Sequence, residues 1–339
     1  HHIHEMQEED TVTETVHYQY ADGLARSGKA ADDFNVNSLK FSRNGFNDEV
    51  TGVDHWNAWT PADHQSFAAV QSPVIEGYTP DQIEIGVINV ASTSQSIDKT
   101  VTYTADAQKL TVNFIDDVTG QTLKIVTKTG YSDGDAGYNT KADIQDFVGQ
   151  HYDLVSDATH GANLVFDHND GVDQVYNVHL THHLTPISDH QVVNETIHYV
   201  YADGLARTGK AADDHVAAPL EFNRTGKHDD VTGTDVWDAW IPGSASFAAV
   251  QSSLIQGYTP DQSQIDVISV DANSQDIVKT VTYSADQQKM TIDFIDDTDN
   301  GKVLKTVTKI GGSDEAVGYN TKADIQTFVD GHYKLDHDT

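Results

Sequence analysis

Residues 12–26 of the chain read VTETVHYQYADGLAR. Apolar and polar side chains alternate up to Tyr20, which places Val16, Tyr18 and Tyr20 on one face of a predicted β-strand. An Asp-Gly pair, a frequent hairpin turn, follows the strand directly. A strand with one apolar face that ends in a tight turn indicates a sheet that buries one side, and similar strands recur along the chain.

The same stretch occurs a second time. Tyr20–Arg26 returns unchanged as Tyr201–Arg207, and Tyr138 returns as Tyr319. The repeated unit is much longer than the repeat of a solenoid, and it is long enough to bury a core of its own. An array of whole units favours a spacer or a multivalent binder over an enzyme with a single site.

The chain is strongly acidic. Its 339 residues include 53 Asp and Glu against 20 Lys and Arg, which gives a net charge of −33. Such a charge repels nucleic acids and anionic membranes, so we expect neither as a partner. If all 18 His residues were protonated at about pH 5, the net charge would change from −33 to −15 and the self-repulsion would weaken; the alternative is that they are surface residues without a role.

The sequence contains no cysteine, which excludes disulfides, thiolate zinc sites and cysteine nucleophiles. Acidic repeats without cysteine are typical of a secreted protein from an organism that does not rely on disulfides. No apolar stretch of the sequence is long enough to span a membrane, so we expect no membrane insertion of these residues.

A second module is predicted to begin near residue 108. Leu110, Val112 and Phe114 alternate on one strand, and an acidic turn then leads into a return strand. The two strands form a predicted hairpin whose apolar face requires a cover.

A short helix is predicted to provide that cover. Thr140 can cap its free amides, Asp143 occupies the position that can bond back to the cap, and Gly149 ends it. Further strands are predicted at Leu164–Phe166 and Val175–Leu180. A hairpin, one crossing helix and two more strands predict a β-rich α+β fold of the β-grasp, ubiquitin-like kind.

Each repeat is therefore predicted to hold two modules. The predicted parts are residues 1–10 (tail of a preceding repeat and linker), 11–107 (first module of repeat 1), 108–186 (second module of repeat 1), 187–287 (linker and first module of repeat 2) and 288–339 (second module of repeat 2, truncated). The tail is inferred because His1–Ile3 aligns with His182–Leu184, and Pro186–Asn194 is predicted as a linker. The short junction Ala105–Ala107 predicts closely stacked modules, and tandem modules of this kind predict an elongated rod.

The ordered motifs of the chain resemble those of a known family. They are Tyr-Ala-Asp-Gly at 20–23, Trp56-x-x-Trp59-x-Pro61, Phe67–Pro80, Val101–Tyr103 and, in the second module, Thr111–Asp116. In this order, and twice over, they resemble the long mucus-binding (MUB) repeats and the smaller MucBP-type domains of lactobacillal surface adhesins. The second copy departs from the first at Ser253, which replaces Pro73, and at Ile241, which replaces Thr60.

This resemblance carries several expectations. It implies extracellular tandem repeats that are anchored to the bacterial cell wall through a region outside these residues. It implies modules of the β-grasp kind, adhesion to mucin glycans and, for some members of the family, immunoglobulin binding. It supplies no glycan-binding residue that can be transferred to a position of this sequence.

The tryptophans are the first candidate ligand-binding residues. The chain has four, Trp56, Trp59, Trp237 and Trp240. Exposed indoles can stack on the faces of sugars, so these side chains could form a glycan platform. The alternative is that at least one of each pair fills the core of its module, since aromatic side chains dominate core burial. On a strand, a spacing of three would send the two rings to opposite faces.

Acidic turns are the candidate metal sites. Their carboxylates, at Asp116, Asp117, Asp296, Asp297 and Asp299, offer the oxygen ligands that Ca²⁺ prefers. The spacing is not that of an EF-hand, and ordinary acidic turns have the same composition. No motif requires a cofactor, and Ca²⁺ is a possible ligand of these turns. His179 and His183, on one face of a strand beside His182, are a weaker candidate for a transition metal.

The sequence gives no sign of an enzyme. It has no nucleophile elbow, phosphate-binding loop or zinc-protease motif. We therefore expect a non-enzymatic adhesin repeat that binds host mucin glycoproteins through several weak sites. Two alternatives stay open, which are immunoglobulin binding by strand addition at a sheet edge and a stalk that binds nothing.

Overall fold

Strands account for most of the structure, as the alternating sequence predicts. The computed structural model describes residues 2–35, 38–62 and 64–338. It consists of two compact units, one of His1–Leu184 with Asp229–Gly233 and one of Thr185–His228 with Thr234–Thr339. The alignment of His1 with a preceding repeat concerns a residue outside the described ranges.

The first part of the first unit is built from short strands. They are β1 (Ile3–Val12), β2 (Glu14–Tyr20), β3 (Lys29–Asn35), β4 (Leu39–Asp48), β5 (Val53–Trp56), β6 (Gln65–Phe67), β7 (Val70–Gln71), β8 (Tyr78–Pro80), β9 (Glu84–Ile85), β10 (Ile88–Val90) and β11 (Ile97–Ala105). Their main sheet has the order β3-β2-β11-β8, and a second sheet has the order β1-β4-β5.

The main sheet has a parallel pair of strands at its centre. β2 runs parallel to β11, with Val16 opposite Lys99 and Tyr18 opposite Val101, and β3 and β8 pair antiparallel at the two edges. Val16 and Tyr18 are buried beneath the sheet, as the alternation predicts, and Tyr103 on the central partner strand is fully buried. The strand pattern therefore fixes the core face of this sheet.

The second part of the first unit combines a sheet with one helix. Its elements are β12 (Ala107–Asp116), β13 (Thr122–Tyr131), α1 (Lys141–Gly149), β14 (Tyr152–Asp157) and β15 (Gln174–His182). The sheet order is β13-β12-β15-β14, with β12 and β15 parallel in the middle. Leu110, Val112 and Phe114 form the core with Phe147 from the helix, so the predicted hairpin and its cover are confirmed.

Two local predictions differ from the structure, and one strand was not predicted. Leu164–Phe166 is an isolated bridge and not a strand: Val165 pairs with Asp135 and is 49% exposed, while Leu164 and Phe166 are buried. The third strand of this module is instead β14, which the sequence pattern did not predict. Pro186–Asn194 is not a linker, because most of it belongs to a ten-residue strand that pairs within a sheet. This strand is polar and largely exposed on both faces, so it lacks the alternation that reveals a strand in sequence.

The start of the helix also differs from the prediction. α1 begins after Thr140, but the Thr140 side chain makes no capping hydrogen bond. Its hydroxyl is fully buried and donates to Asp157 Oδ2 over 2.7 Å. Asp143 accepts hydrogen bonds from Lys124 and Tyr138 instead of bonding back to the cap. Both side chains that the local pattern predicts for the cap therefore form hydrogen bonds with other parts of the module instead.

The second unit repeats these elements. They are β16 (Leu184–Val193), β17 (Glu195–Tyr201), β18 (Lys210–Val216), β19 (Leu220–Asp229), β20 (Thr234–Trp237), β21 (Ala245–Phe247), β22 (Val250–Gln251), β23 (Tyr258–Pro260), β24 (Gln264–Ile265), β25 (Ile268–Val270), β26 (Ile277–Ala285), β27 (Gln287–Asp296), β28 (Lys302–Gly312) and α2 (Lys322–Asp330). Its main sheet, β18-β17-β26-β23, has the same order and the same central parallel pair as the first. Within the described residues, neither helix is long and apolar enough to cross a membrane.

Candidate ligand-binding surfaces

The predicted tryptophans form two cation–π sandwiches. The guanidinium of Arg43 lies 4.6 Å from the ring centroids of both Trp56 and Trp59. In the second copy, Arg224 lies 4.4 Å from the rings of Trp237 and Trp240. The expected separation onto opposite faces is wrong, because β5 ends at Trp56 and the strand period no longer applies to the residues that follow it.

The two rings of a pair have different surroundings. Trp59 packs against the core cluster that contains Phe41 and Phe67, although it remains partly exposed. Trp56 lies over Gly45, where a Cβ would come within 2.7 Å of its Cε3 atom. Trp59 therefore contributes to the core of its module more than Trp56 does. A role of either ring in ligand binding remains a prediction.

The acidic turn of the first copy is largely satisfied by its own hydrogen bonds. Asp116 is only 2% exposed, and its carboxylate accepts hydrogen bonds from the Val118 amide at 2.8 Å and the Thr119 hydroxyl at 2.6 Å. Burial alone would raise the pKa of Asp116, but these bonds, together with one from His182, outweigh burial and lower it. Asp117 is paired with His179, whose Nδ1 lies 2.7 Å from Asp117 Oδ1.

His182 holds two aspartates together inside the first unit. Its Nε2 lies 3.1 Å from Asp116 Oδ2, and its Nδ1 lies 2.6 Å from Asp229 Oδ2. The hydrogen bond to Asp229 is the main cause of the raised pKa of His182, and it outweighs the opposing effect of burial. The pKa of Asp229 falls to about 2, because its bonds from His182 and from backbone amides outweigh burial.

Sequence reasoning missed His182, although the signal was present. Val178, Leu180 and His182 occupy alternate positions of β15, and all three are buried. The predicted transition-metal pair beside it is not brought together, because His179 binds Asp117 and His183 binds Asp153 at 2.9 Å. For predicting which histidine makes structural contacts, the inward position on a strand is therefore more informative than the number of histidines nearby.

The acidic turn of the second copy is exposed. Asp296 caps it by accepting hydrogen bonds from the Thr298 amide and hydroxyl, and Asp299 lies 3.5 Å from Lys302. Asp297 lies with Asp336 and His337 in a group whose possible ligand atoms are all within 4.8 Å of one another. The two carboxylates of this group are ligands that Ca²⁺ prefers, whereas the imidazole of His337 is not. Ca²⁺ binding at this turn remains a prediction.

A clamp joins the two modules of the first repeat. Asp133 Oδ2 accepts from Arg26 Nε at 2.7 Å and from the Tyr78 hydroxyl at 2.9 Å, while His168 Nδ1 lies 3.4 Å from Asp133 Oδ1. Burial, followed by the bond to Asp133, raises the pKa of Tyr78 to about 12. The partners of Asp133 thus come from both modules, and the clamp holds the modules together around one carboxylate.

The second copy builds the same clamp. Arg207 Nε lies 2.7 Å from Asp314 Oδ2, and the Tyr258 hydroxyl lies 3.1 Å from the same oxygen. Asp133 and Asp314 both adopt a left-handed backbone, with φ of 61° and 60°. Aspartate tolerates this conformation better than most residues do. One residue type therefore suits both the backbone of the turn and the acceptor of the clamp.

Two clefts lie beside the clamp of the first repeat, and Tyr131 lines both. The larger has a volume of about 420 Å³, and its lining includes Ala107, Lys109 and Asp173. The smaller, of about 230 Å³, is lined by Leu24 from the first module and by Tyr131 and neighbouring residues of the second. The Tyr131 side chain is 63% exposed, so an aromatic ring stands in solvent between two depressions.

Comparison with known proteins gives two family matches and several related structures. Residues 3–107 and 185–287 match the Muc B2-like domain, and residues 108–182 and 288–339 match the Mucin binding domain. The crystal structure of Mub-RV is 34% identical, with 53% of this chain and 99% of that chain covered and a TM-score of 0.48. No curated protein matches the chain at a significant level.

Two further structures carry lactobacillal names. The type 2 repeat of the mucus binding protein MUB from Lactobacillus reuteri is 35% identical, with 53% of this chain and 100% of that chain covered and a TM-score of 0.36. A MucBP domain from Lactobacillus acidophilus is 39% identical, with 30% of this chain and 99% of that chain covered and a TM-score of 0.25. Since the Muc B2-like matches alone span more than half of the residues, the chain belongs to the family of mucus-binding repeats, as a tandem of Muc B2-like and Mucin binding domains.

Proposed function

We propose that this chain is an extracellular adhesin segment that binds host mucin glycoproteins through several weak sites. The observation that carries the proposal is that a Muc B2-like domain followed by a Mucin binding domain occurs twice in one chain. Two linked weak sites can bind about 10²-fold more tightly than one, so tandem copies give avidity without a deep pocket.

The mode of action is binding alone. Both families are adhesion and binding domains. We propose that the chain performs no catalysis on mucin and that a region outside these residues anchors it to the cell wall. Incubation with mucin should release no sugar or peptide, and release that depends on the chain would contradict this part of the proposal.

We also propose that the modules are of the β-grasp kind and that they form an elongated rod. A central parallel strand pair in the sheets of both modules supports modules of the β-grasp kind. The module boundaries at residues 107, 186 and 287, and the elongated rod expected from the short junctions, can be tested by limited proteolysis and small-angle scattering. A maximum dimension typical of a globular protein of this mass would contradict the rod.

Immunoglobulin binding is a second candidate. The main sheet of each first module ends in the edge strands β3 and β8, or β18 and β23, to which an extended segment could add. Antibody fragments stripped of glycans separate the two candidates, because strand addition does not need sugar.

The decisive experiment is binding of the purified chain to immobilised mucin. Native and periodate-oxidised mucin are compared at pH 5 and pH 7.4. We expect binding that is lost on oxidation and stronger at pH 5, since protonated histidines reduce repulsion between this acidic chain and sialylated or sulfated mucin. Binding that survives oxidation favours protein recognition, and no binding to either surface favours a stalk.

A further inference from the structure

Tyr131 is an exposed aromatic residue on a rigid element. It is the last residue of β13, where it pairs with Ala107 of β12. Its neighbours point the other way, because Ser132 is buried and a Cβ at Gly130 would meet Phe166 at 2.3 Å. The alternation of the strand therefore turns the Tyr131 ring toward solvent.

The ring stands at the meeting point of the two clefts. Ala107, its small partner across the strand pair, lines the larger cleft together with Lys109 and Asp173. Lys109 Nζ lies 2.8 Å from Asp173 Oδ2, and both side chains are about half exposed, at 50% and 55%. The polar wall of this cleft thus offers the ammonium group of Lys109 as a hydrogen-bond donor and the carboxylate of Asp173 as an acceptor. The two charges form an ion pair with each other.

This combination selects a class of ligand. A sugar ring offers a face of C–H groups that packs on an aromatic ring, and hydroxyl groups around its rim that both donate and accept hydrogen bonds. A carboxylate and an ammonium group in one wall satisfy such hydroxyls, whereas a sialic acid or a sulfate would face Asp173 within a chain of net charge −33. The volume of the larger cleft, about 420 Å³, lies in the range of ordinary small-molecule sites.

We propose that the Tyr131 clefts bind a neutral sugar unit of an oligosaccharide, with the Tyr131 ring as the stacking platform and Lys109 and Asp173 as partners of its hydroxyl groups. This inference rests on the proposed adhesin function and assigns it a location. It places the site beside the clamp of Arg26 and Asp133, where both modules contribute to the smaller cleft.

The second copy supplies a natural comparison. At the position of Tyr131 it has Gly312, and at the position of the paired Ala107 it has Gln287. The strand register is otherwise the same, so the backbone of this motif accepts glycine. The second copy therefore lacks the stacking ring at this position, and Tyr131→Gly converts one copy toward the other at a single position.

The test uses the full chain and oligosaccharides released from mucin, divided into a neutral pool and an acidic pool. Binding is followed by NMR titration of backbone amides and by saturation transfer to the sugars. We expect the neutral pool to shift the amides of Lys109 and residues 129–132. We expect Tyr131→Ala and Tyr131→Gly to weaken this binding about tenfold, whereas Tyr131→Phe, which keeps the ring, retains most of it.

The matched control is Ile125→Thr, which replaces a 62% exposed residue of the same strand by the residue of the second copy. It should leave the affinity for the neutral pool unchanged. Circular dichroism and thermal unfolding establish that each variant is folded. If Tyr131→Ala binds the neutral pool as well as the parent chain, or if the acidic pool binds better, the inference is wrong while mucin binding by the chain still stands. If the parent chain does not bind mucin at all, both the inference and the proposed function fail.

Discussion

Glu14 and Glu195 occupy equivalent positions in the two copies, and each is a fully buried carboxyl group. Both are 1% exposed, and in each case neither carboxylate oxygen has a hydrogen-bond partner among the described residues. For Glu14, burial without hydrogen-bond partners favours the neutral, protonated form. Burial raises the pKa of Glu14, and the positive charge of Lys99 opposes this only in part.

A first prediction concerns pH. Because the pKa of Glu14 is higher in the folded chain than in the unfolded chain, the native state binds more protons, and stability falls as the pH rises from the unfolded pKa, about 4.3, through the raised value. Glu14→Gln should therefore raise the free energy of unfolding by about 1 kcal/mol at pH 7 and flatten this dependence.

The measurement is thermal or urea unfolding between pH 4 and pH 8. Glu76→Gln, at an exposed glutamate of the same module, is the control and should change neither the stability nor its slope with pH. A difference in stability between Glu14→Gln and the parent chain that does not grow from pH 4 to pH 8 would contradict the buried-acid argument.

A second prediction concerns His182. His182→Ala removes the donor shared by Asp116 and Asp229 and leaves a carboxylate that is 2% exposed without that partner. Breaking such a buried pair costs about 3 kcal/mol, which urea unfolding can measure. His183→Ala is the neighbouring control, because the ion pair of His183 with Asp153 is solvent-exposed and should matter little. Equal effects of the two changes would mean that burial of His182 does not matter.

A third prediction concerns the clamp. Asp133→Ala removes the acceptor of Arg26, Tyr78 and His168 together, and it places alanine at a φ of 61°. We expect a loss of about 2 kcal/mol and faster proteolysis between the two modules. Asp133→Asn tolerates the same backbone and can still accept hydrogen bonds, so its loss should be smaller. An alanine variant as stable and as protease-resistant as the parent would show that the clamp does not hold the modules.

Much of this fold is predictable from sequence, because its strands alternate. The inward faces of β2 and β12 follow from the positions of Val16 and Leu110 alone. The contacts of His182 with Asp229 and of Arg26 with Asp133 do not, because each joins residues far apart in sequence. The exposure of Tyr131 is readable from the strand period, but the clefts beside it depend on Asp173 and Leu24, which only the tertiary structure brings near.

A fourth prediction separates the two tryptophans of a pair. Trp59 packs against the Phe41 and Phe67 core, so Trp59→Ala should cost about 2 kcal/mol of stability. Trp56, which lies between Gly45 and Arg43, should tolerate alanine better. If these rings bind glycans, Trp56→Ala lowers mucin binding without unfolding the module. Unchanged mucin binding in both Trp56→Ala and Trp237→Ala would exclude Trp56 and Trp237 as ligand-binding residues.

A fifth prediction concerns calcium. The turn at Asp296–Asp299 is exposed, and Asp297 faces Asp336 and His337, whereas Asp116 of the first copy is already bonded to His182. We expect millimolar Ca²⁺ to raise the unfolding temperature of the second unit and Asp297→Asn to remove this effect. Calorimetric titration of the parent chain without any heat of binding would dispose of the calcium hypothesis, and Asp117→Asn is the control in the first copy.

The difference between Tyr131 and Gly312 also has a meaning for the array as a whole. The Arg–Asp ion pair and the Tyr hydroxyl on the same Asp occur next to these positions in both copies, so the exposed residue differs while these contacts of the joint are kept. Two repeats with the same strand register can thus differ in the residue that is exposed at the end of the hairpin, as Tyr131 and Gly312 do. Under the proposed function, a longer array of such repeats would therefore hold more kinds of site as well as more copies of one site.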